Sequence, residues 1–137
     1  TGVDVCSSDL ILAHRRLRRE VEHDLHHLTL AEWIAQVAKA WHGVKLGEPD
    51  WGTDSHAIAL SVRLQESGAL FHLVFNAWRE PLEFELPPTP GPPWRRWFDT
   101  TLASPDDIVE WDDAPAVDGS RYRVGPRSTV GLYLARR

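Results

Sequence analysis

The side chains best suited to chemistry in this sequence fall into three groups. His23, His26 and His27 surround Asp24. The offset between His23 and His27 would set both imidazoles on one face of a helix, the spacing of a pair of metal ligands. The glutamate of a His-Glu-x-x-His motif is missing and no third ligand is evident, so the pattern favours solvated helix surface, with no metal and no cofactor expected. Asp106-Asp107 and Asp112-Asp113 are two acid pairs. A general acid needs a raised pKa, from burial or from a like charge. These pairs stand in a proline-punctuated stretch that reads as exposed loop, and no catalytic residue is assigned. The third group is Trp94-Arg95-Arg96-Trp97. Aromatic faces stack on the C–H faces of sugars while arginine donates to hydroxyls, which makes Trp94, Arg96 and Trp97 the candidate substrate-binding residues. Strand alternation sets Arg96 beside Trp94 and opposite Trp97, an arrangement that favours packing over a shared sugar platform. Ser128 has no local histidine arrangement to make it a nucleophile, and no phosphate-cradling glycine loop or Gly-x-Ser-x-Gly elbow is present.

Composition narrows the classes further. The chain has 137 residues and a formal net charge of -5. That length suits one ordinary domain, or one small domain with an extra segment. A mildly acidic chain lacks the clustered basic footprint of a nucleic-acid or anionic-membrane partner. No apolar run approaches the roughly 18 residues that span a bilayer, and nothing has the form of a secretory signal. One cysteine allows no internal disulfide, which fits a reducing compartment and a cytoplasmic location. Seven tryptophans and ten prolines are the unusual counts.

The elements that would position these groups change character along the chain. Residues 1–10, with Val5-Cys6-Ser7-Ser8-Asp9-Leu10, resemble a translated sequencing-library adapter and are set aside as non-native, with the true protein expected to continue upstream. Residues 11–40 read as helical. Leu12, Leu17, Val21 and Leu25 fall near one face of a first helix, and Thr29-Leu30-Ala31-Glu32 is a capping box that opens a second. Leu30, Trp33, Ile34, Val37 and Trp41 then recur at helical spacing, with a stop near Gly43. Beyond Gly43 the period becomes two. Strands are expected at Ala57 to Leu64, Leu70 to Ala77, Leu82 to Leu86, Trp94 to Asp99, Arg121 to Val124 and Ser128 to Leu134. The run Pro87 to Pro93 must be loop, and Ser104 to Gly119 a long irregular connection. The expected fold is mainly β: an antiparallel sandwich of about seven short strands over residues 41–137, preceded by one or two helices.

Several blocks, in order, carry a family resemblance. Trp41-His42-Gly43-Val44-Lys45-Leu46-Gly47-Glu48-Pro49-Asp50-Trp51 and Asp54-Ser55-His56 resemble the opening of the C-terminal domain of glycogen-debranching enzymes of the isoamylase group. Asn76-Ala77, Glu80-Pro81-Leu82 and Phe84-Glu85-Leu86-Pro87 are similar to its next part. Trp94-Arg95-Arg96, Asp99-Thr100, Ser104-Pro105-Asp106-Asp107-Ile108, Tyr122 and Pro126-Arg127-Ser128 resemble the remainder. Trp78-Arg79 departs from the pattern, since the family is expected to favour a Tyr-Trp pair there; the departure bears on local surface and not on fold.

The resemblance implies a parent glycoside hydrolase in which a (β/α)8 barrel precedes this sandwich and hydrolyses α-1,6 branch links in glycogen or related α-glucans. Its catalytic carboxylates would sit at the ends of barrel strands, upstream of this chain. Residues 11 to about 19 would be the last barrel helix. The barrel becomes the expected partner, with α-glucan reached through the parent. Two function classes stay open: an accessory domain with a structural role against the barrel, or a carbohydrate-binding module that contacts α-glucan through surface tryptophans. Trp33, Trp41, Trp51 and Trp78 read as core or interdomain anchors.

Overall fold

A computed structural model of the protein describes residues 37–64 and 67–134. The adapter-like stretch, the first helix, the capping box and the His23, His26 and His27 cluster lie outside the described residues.

Among the described residues seven strands follow one another: β1 (Ala38–His42), β2 (Ala57–Arg63), β3 (Leu70–Asn76), β4 (Leu82–Glu85), β5 (Arg95–Asp99), β6 (Arg121–Val124) and β7 (Ser128–Leu134). Five form a sheet in the order β1-β2-β3-β7-β5, and β4 pairs with β6 in a second, two-stranded sheet. Every pairing is antiparallel. The mainly β, antiparallel architecture read from two-residue periodicity is the observed one.

One expectation fails at the start of the described region. The helical pattern ending near Gly43 predicts helix through Trp41, yet Ala38–His42 is an edge strand paired residue for residue with Ala59 to Arg63. Val37 and Trp41 satisfy a four-residue period, but the same stretch also alternates. Ala40 and His42 share a sheet face with Ser61 and Ala59, with His42 buried there, while Lys39 and Trp41 share the other face with Val62 and Leu60. Helix propensity is a weak prior, and ladder pairing with β2 outweighs it. Gly43 is needed for a different reason than a helix stop: a Cβ there would lie 2.3 Å from the Glu48 carbonyl oxygen, so only glycine lets the following loop fold back.

The pleat builds two cores on opposite faces of the large sheet. On the inner face, Ala59, Val74, Val130 and Leu132 meet Phe84 and Val124 of the small sheet, with Leu86 and Trp94 closing the margins. On the outer face, Phe71 and Tyr133 are covered by Ile108, Trp111 and Ala114 of the irregular connection, together with Leu64 and Trp97. Arg96, Trp97 and Phe98 explain how β5 serves both cores. The register shifts between Arg96 and Phe98, a bulge that lets Trp97 turn to the outer core while Trp94 stays in the inner one. The long connection also runs beside β5, bonded through Arg96 N–H to the Pro115 carbonyl, Asp99 N–H to the Asp107 carbonyl and Val109 N–H to the Trp97 carbonyl. It thereby covers an edge that would otherwise be open to pairing with another chain.

Gly131 in β7 shows how tight the outer packing is. A Cβ at this position would lie 2.2 Å from the Phe98 ring. Gly131→Ala is expected to force Phe98 aside and cost about 2 kcal/mol, the scale of overpacking in a filled site. Urea unfolding measures it, and adding Phe98→Leu should recover part of the loss. An unchanged midpoint would mean that Phe98 swings away freely.

Candidate functional site

The side chains that could serve function lie at the end of the sandwich where β1 hands over to β2, and on the outer face beside it. The loop from Gly43 to His56 is built on a polar chain inside the sheet. Gly47 N–H donates to His42 Nδ1 at 2.9 Å. Nε2 of that ring is 2.9 Å from Ser61 Oγ, and Ser61 Oγ is 2.9 Å from His72 Nδ1. Because Nδ1 of His42 accepts, its proton sits on Nε2 and is given to Ser61, which in turn gives its own proton to His72. The relay therefore requires both imidazoles neutral. Burial lowers the pKa of His42, and lowers that of His72 to about 4, with a smaller contribution from the His42 charge. Ser61 is not a reacting nucleophile here: the His72 ring that would act as its base is fully buried against Trp94. The chain instead ties the Gly43–Gly47 turn to the core.

That turn forms one wall of a cleft of about 420 Å³ lined by Val44, Lys45, Glu48, Asp50, Asp54, His56 and Trp78, among others. Two of the lining side chains form an aromatic stack. The His56 imidazole lies 4.9 Å from the Trp78 ring and is inclined to it by only 14°. Trp78 is fixed through its backbone, since its N–H donates to Asn76 Oδ1 at 2.9 Å and its carbonyl accepts from Arg127 N–H at 2.9 Å. Asn76 is itself buried and donates to the carbonyls of Glu80 and Gly125. The Arg79 guanidinium carbon stands 5.3 Å from the Trp78 ring centroid.

The outer face beside this cleft is apolar. Trp41, Leu60, Leu73 and Gly131 form one row across the sheet, and Ile58, Phe75 and Thr129 the next. Trp51 from the loop packs edge-on against Trp41 at 5.5 Å. Trp41, Trp51 and Phe75 are 40%, 65% and 41% exposed, large values for such side chains on a sheet face. The far side of the molecule is the opposite in character: the solvent face of the small sheet carries Glu83 beside Arg123 and Glu85 beside Arg121.

The residues picked out from sequence lie elsewhere. Trp94 and Trp97 are both buried, in different cores, and the Trp94 indole N–H donates to the Pro87 carbonyl at 2.8 Å. Arg96 shares the inner face with Trp94, close to Tyr122. The sheet thus separates the two indoles instead of presenting them together. Asp106, Asp112 and Asp113 are exposed on the irregular connection and Asp107 is half-buried. Trp78, read from sequence as a core or interdomain anchor, stands 22 positions from His56, and nothing in the sequence joins the two. Only the pairing of β2 with β3, which sets Ala57 opposite Asn76, brings them together.

Against known proteins, residues 40–132 match the family model described as "Isoamylase 1-3, C-terminal". The chain is 34% identical over 94 residues to Isoamylase 3, chloroplastic, of Oryza sativa subsp. japonica, covering 67% of this chain and 11% of that protein. It is 27% identical over 94 residues to Isoamylase SU1, chloroplastic, of Zea mays, covering 69% of this chain and 12% of that protein. The chain thus spans about a ninth of the length of these relatives.

Proposed function

Because the chain belongs to the isoamylase C-terminal domain family, we propose that it is the accessory domain of a debranching enzyme that hydrolyses α-1,6 links in α-glucans, and that it works structurally by docking on the catalytic barrel. The observation that carries the docking role is the open apolar face of Trp41, Trp51 and Phe75, contrasted with the ion-paired face behind it. Contiguous exposed aromatic surface of this kind marks a face made for a partner. Its position fits, since it is carried by β1, the first strand among the described residues, by the loop that follows, and by Phe75 of β3. The catalytic carboxylates belong, on this proposal, to the portion of the enzyme outside the matched segment, and the chain by itself releases no reducing ends from glycogen or pullulan.

The test is made in the intact enzyme. Trp41→Ser with Phe75→Ser is expected to weaken domain docking by about 2 kcal/mol or more, the scale of interface hot spots, and to lower both thermal stability and debranching rate. Exchanging Glu83 and Arg123 on the opposite face should leave both unchanged. Equal stability and rate in all three proteins would remove the docking face from consideration. A cytoplasmic location is part of the same proposal. The two plant relatives are named as chloroplast proteins, and fractionation of the source cells decides between compartments.

A second reading, direct contact with α-glucan, is favoured by the cleft and not by Trp94 and Trp97.

A further inference from the structure

We infer that the open apolar strip of β1, β2 and β3 on the outer face is covered by the chain's own residues 29–36, docked on it as a short amphipathic helix. The inference rests on the proposed role of this face as an interface, and adds that the barrel meets it through this layer and through Trp51.

The strip has the character of half a core. Trp41, Leu60 and Leu73 form one row, and Ile58 and Phe75 the next. Leu60, Leu73 and Ile58 are half-buried, while Trp41 and Phe75 are exposed. Further across the same face, Phe71 and Tyr133 are closed off by another part of the chain, through Ile108, Trp111 and Ala114. The inner face is filled by Phe84 and Val124 of the small sheet. Among the described residues the strip is the apolar sheet surface left open.

The sequence supplies a cover of matching character beside it. Residues 29–36 lie outside the described ones. Thr29 and Glu32 form a capping-box pattern, and Leu30, Trp33 and Ile34 fall within one helical face. Glu32, Ala35 and Gln36 fall on the reverse side of such a helix. A helix this short is marginal alone in water and draws its stability from packing its apolar face. Segment and strip each lack what the other offers. The chain also leads there. Val37 stands half-buried at a bend directly before β1, so a segment that reverses at Val37 is brought over the strands. The filled inner face leaves it the outer one.

The dimensions agree. As a helix, residues 29–36 would be about 12 Å long and, with side chains, about 10 Å wide. From Val62 to Ile58 is about 13 Å along β2, and β1 to β3 spans about 10 Å across the sheet. Trp51 stands edge-on to Trp41 from the following loop, outside this footprint, and stays open to the barrel.

Cysteine crosslinking in the full chain tests the occupant. The one cysteine is removed by Cys6→Ser, and a pair is introduced by Leu30→Cys and Phe75→Cys. Phe75 is exposed and belongs to neither core, so its replacement leaves the sandwich intact. In a glutathione redox buffer the pair should form an intramolecular disulfide with an effective concentration about tenfold above that of Leu30→Cys with Arg123→Cys, whose second site is on the far face. A second measurement reads packing without a new bond. Ile34→Asp should lower the urea midpoint of the wild-type chain and leave that of the chain with Trp41→Ser and Phe75→Ser unchanged. Equal disulfide formation at the two sites would overturn the assignment. So would an Ile34→Asp effect of the same size in both backgrounds. A disulfide of the first pair that forms only between chains, with a dimer in light scattering, would give the strip to a second copy and overturn it equally. An intact enzyme whose docking is weakened by Trp41→Ser with Phe75→Ser, while the first pair fails to crosslink, would sink this cover and leave the proposed docking standing.

Discussion

Asp99→Ala is expected to remove a large share of the stability of this domain while leaving it mostly folded at ambient temperature. Asp99 ends β5 with only 3% of its surface exposed, and its carboxylate is fully engaged. Oδ1 accepts from Thr101 N–H at 2.9 Å and from Thr101 Oγ1 at 2.5 Å, while Oδ2 accepts from the Tyr122 hydroxyl at 2.8 Å. The first two bonds shape the turn after β5. The third ties the large sheet to β6 of the small one. Truncation strands the half-buried Tyr122 hydroxyl, while the donors of exposed Thr101 turn to water and the turn loses its two bonds. A buried donor stranded in this way costs about 1–3 kcal/mol and each lost turn bond about 0.5–1.5 kcal/mol, so the total is on the order of 3 kcal/mol against the 5–15 kcal/mol that holds a domain together. Burial, and then the neighbouring Asp99, push the Tyr122 phenol up to about 12, so it stays a donor at every working pH. Guanidinium unfolding measures the loss. Asp99→Ala combined with Tyr122→Phe should cost less than the sum of the two single changes, because the second removes a donor already stranded by the first. Strict additivity would show that the hydroxyl does not depend on Asp99.

Six of the seven strands were legible because their side chains alternate, and the family because its blocks run in order. What alternation could not tell was which face of a strand is inside. In β2 the larger apolar side chains are Ile58, Leu60 and Val62, and the smaller ones are Ala59 and Ser61. Hydropathy alone would bury the first set. The structure turns Ala59 and Ser61 inward, where Phe84 and Trp94 need room and His42 and His72 need a hydroxyl, and leaves Ile58 and Leu60 half-exposed. The apparent inversion is itself informative, since a sheet keeps its more apolar face outward only where something else will cover it. The site residues were illegible for another reason. Trp94 and Trp97 stand close in sequence with arginines between them, whereas the side chains that share a cleft come from the β1–β2 loop and the turn after β3. Sequence proximity favoured the first set, and sheet pairing assembled the second.

The His42–Ser61–His72 chain should make the domain acid-sensitive in a window set by its own histidines. His72 is fully buried, and its Nε2 meets no hydrogen-bond acceptor among the described residues. Its pKa falls from the usual 6.5 to about 4 because burial penalises the charged ring. Above pH 6.5 neither the folded nor the unfolded ring carries the extra proton, and the contribution to stability is complete. Between 6.5 and 4 the unfolded ring takes up a proton that the folded ring refuses, so stability declines as the pH falls. Below about 4 both states are protonated and the decline from this group ends. A shift of this size corresponds to on the order of 3 kcal/mol over the whole window. Burial also lowers the pKa of His42, which adds to the effect in the same direction. The bonding explains why a proton is so poorly tolerated. A second proton on His42 would point Nδ1–H at the Gly47 N–H, one on His72 would point Nδ1–H at the Ser61 hydroxyl, and the two charged rings would stand 5.7 Å apart. Urea midpoints of the chain between pH 7 and 5, above the main titration of the carboxylates, should fall steadily. In His72→Gln, whose amide oxygen can still accept from Ser61, the slope should flatten even if the midpoint at pH 7 is lower. A slope as steep in His72→Gln as in the wild type would place the acid sensitivity in some other group.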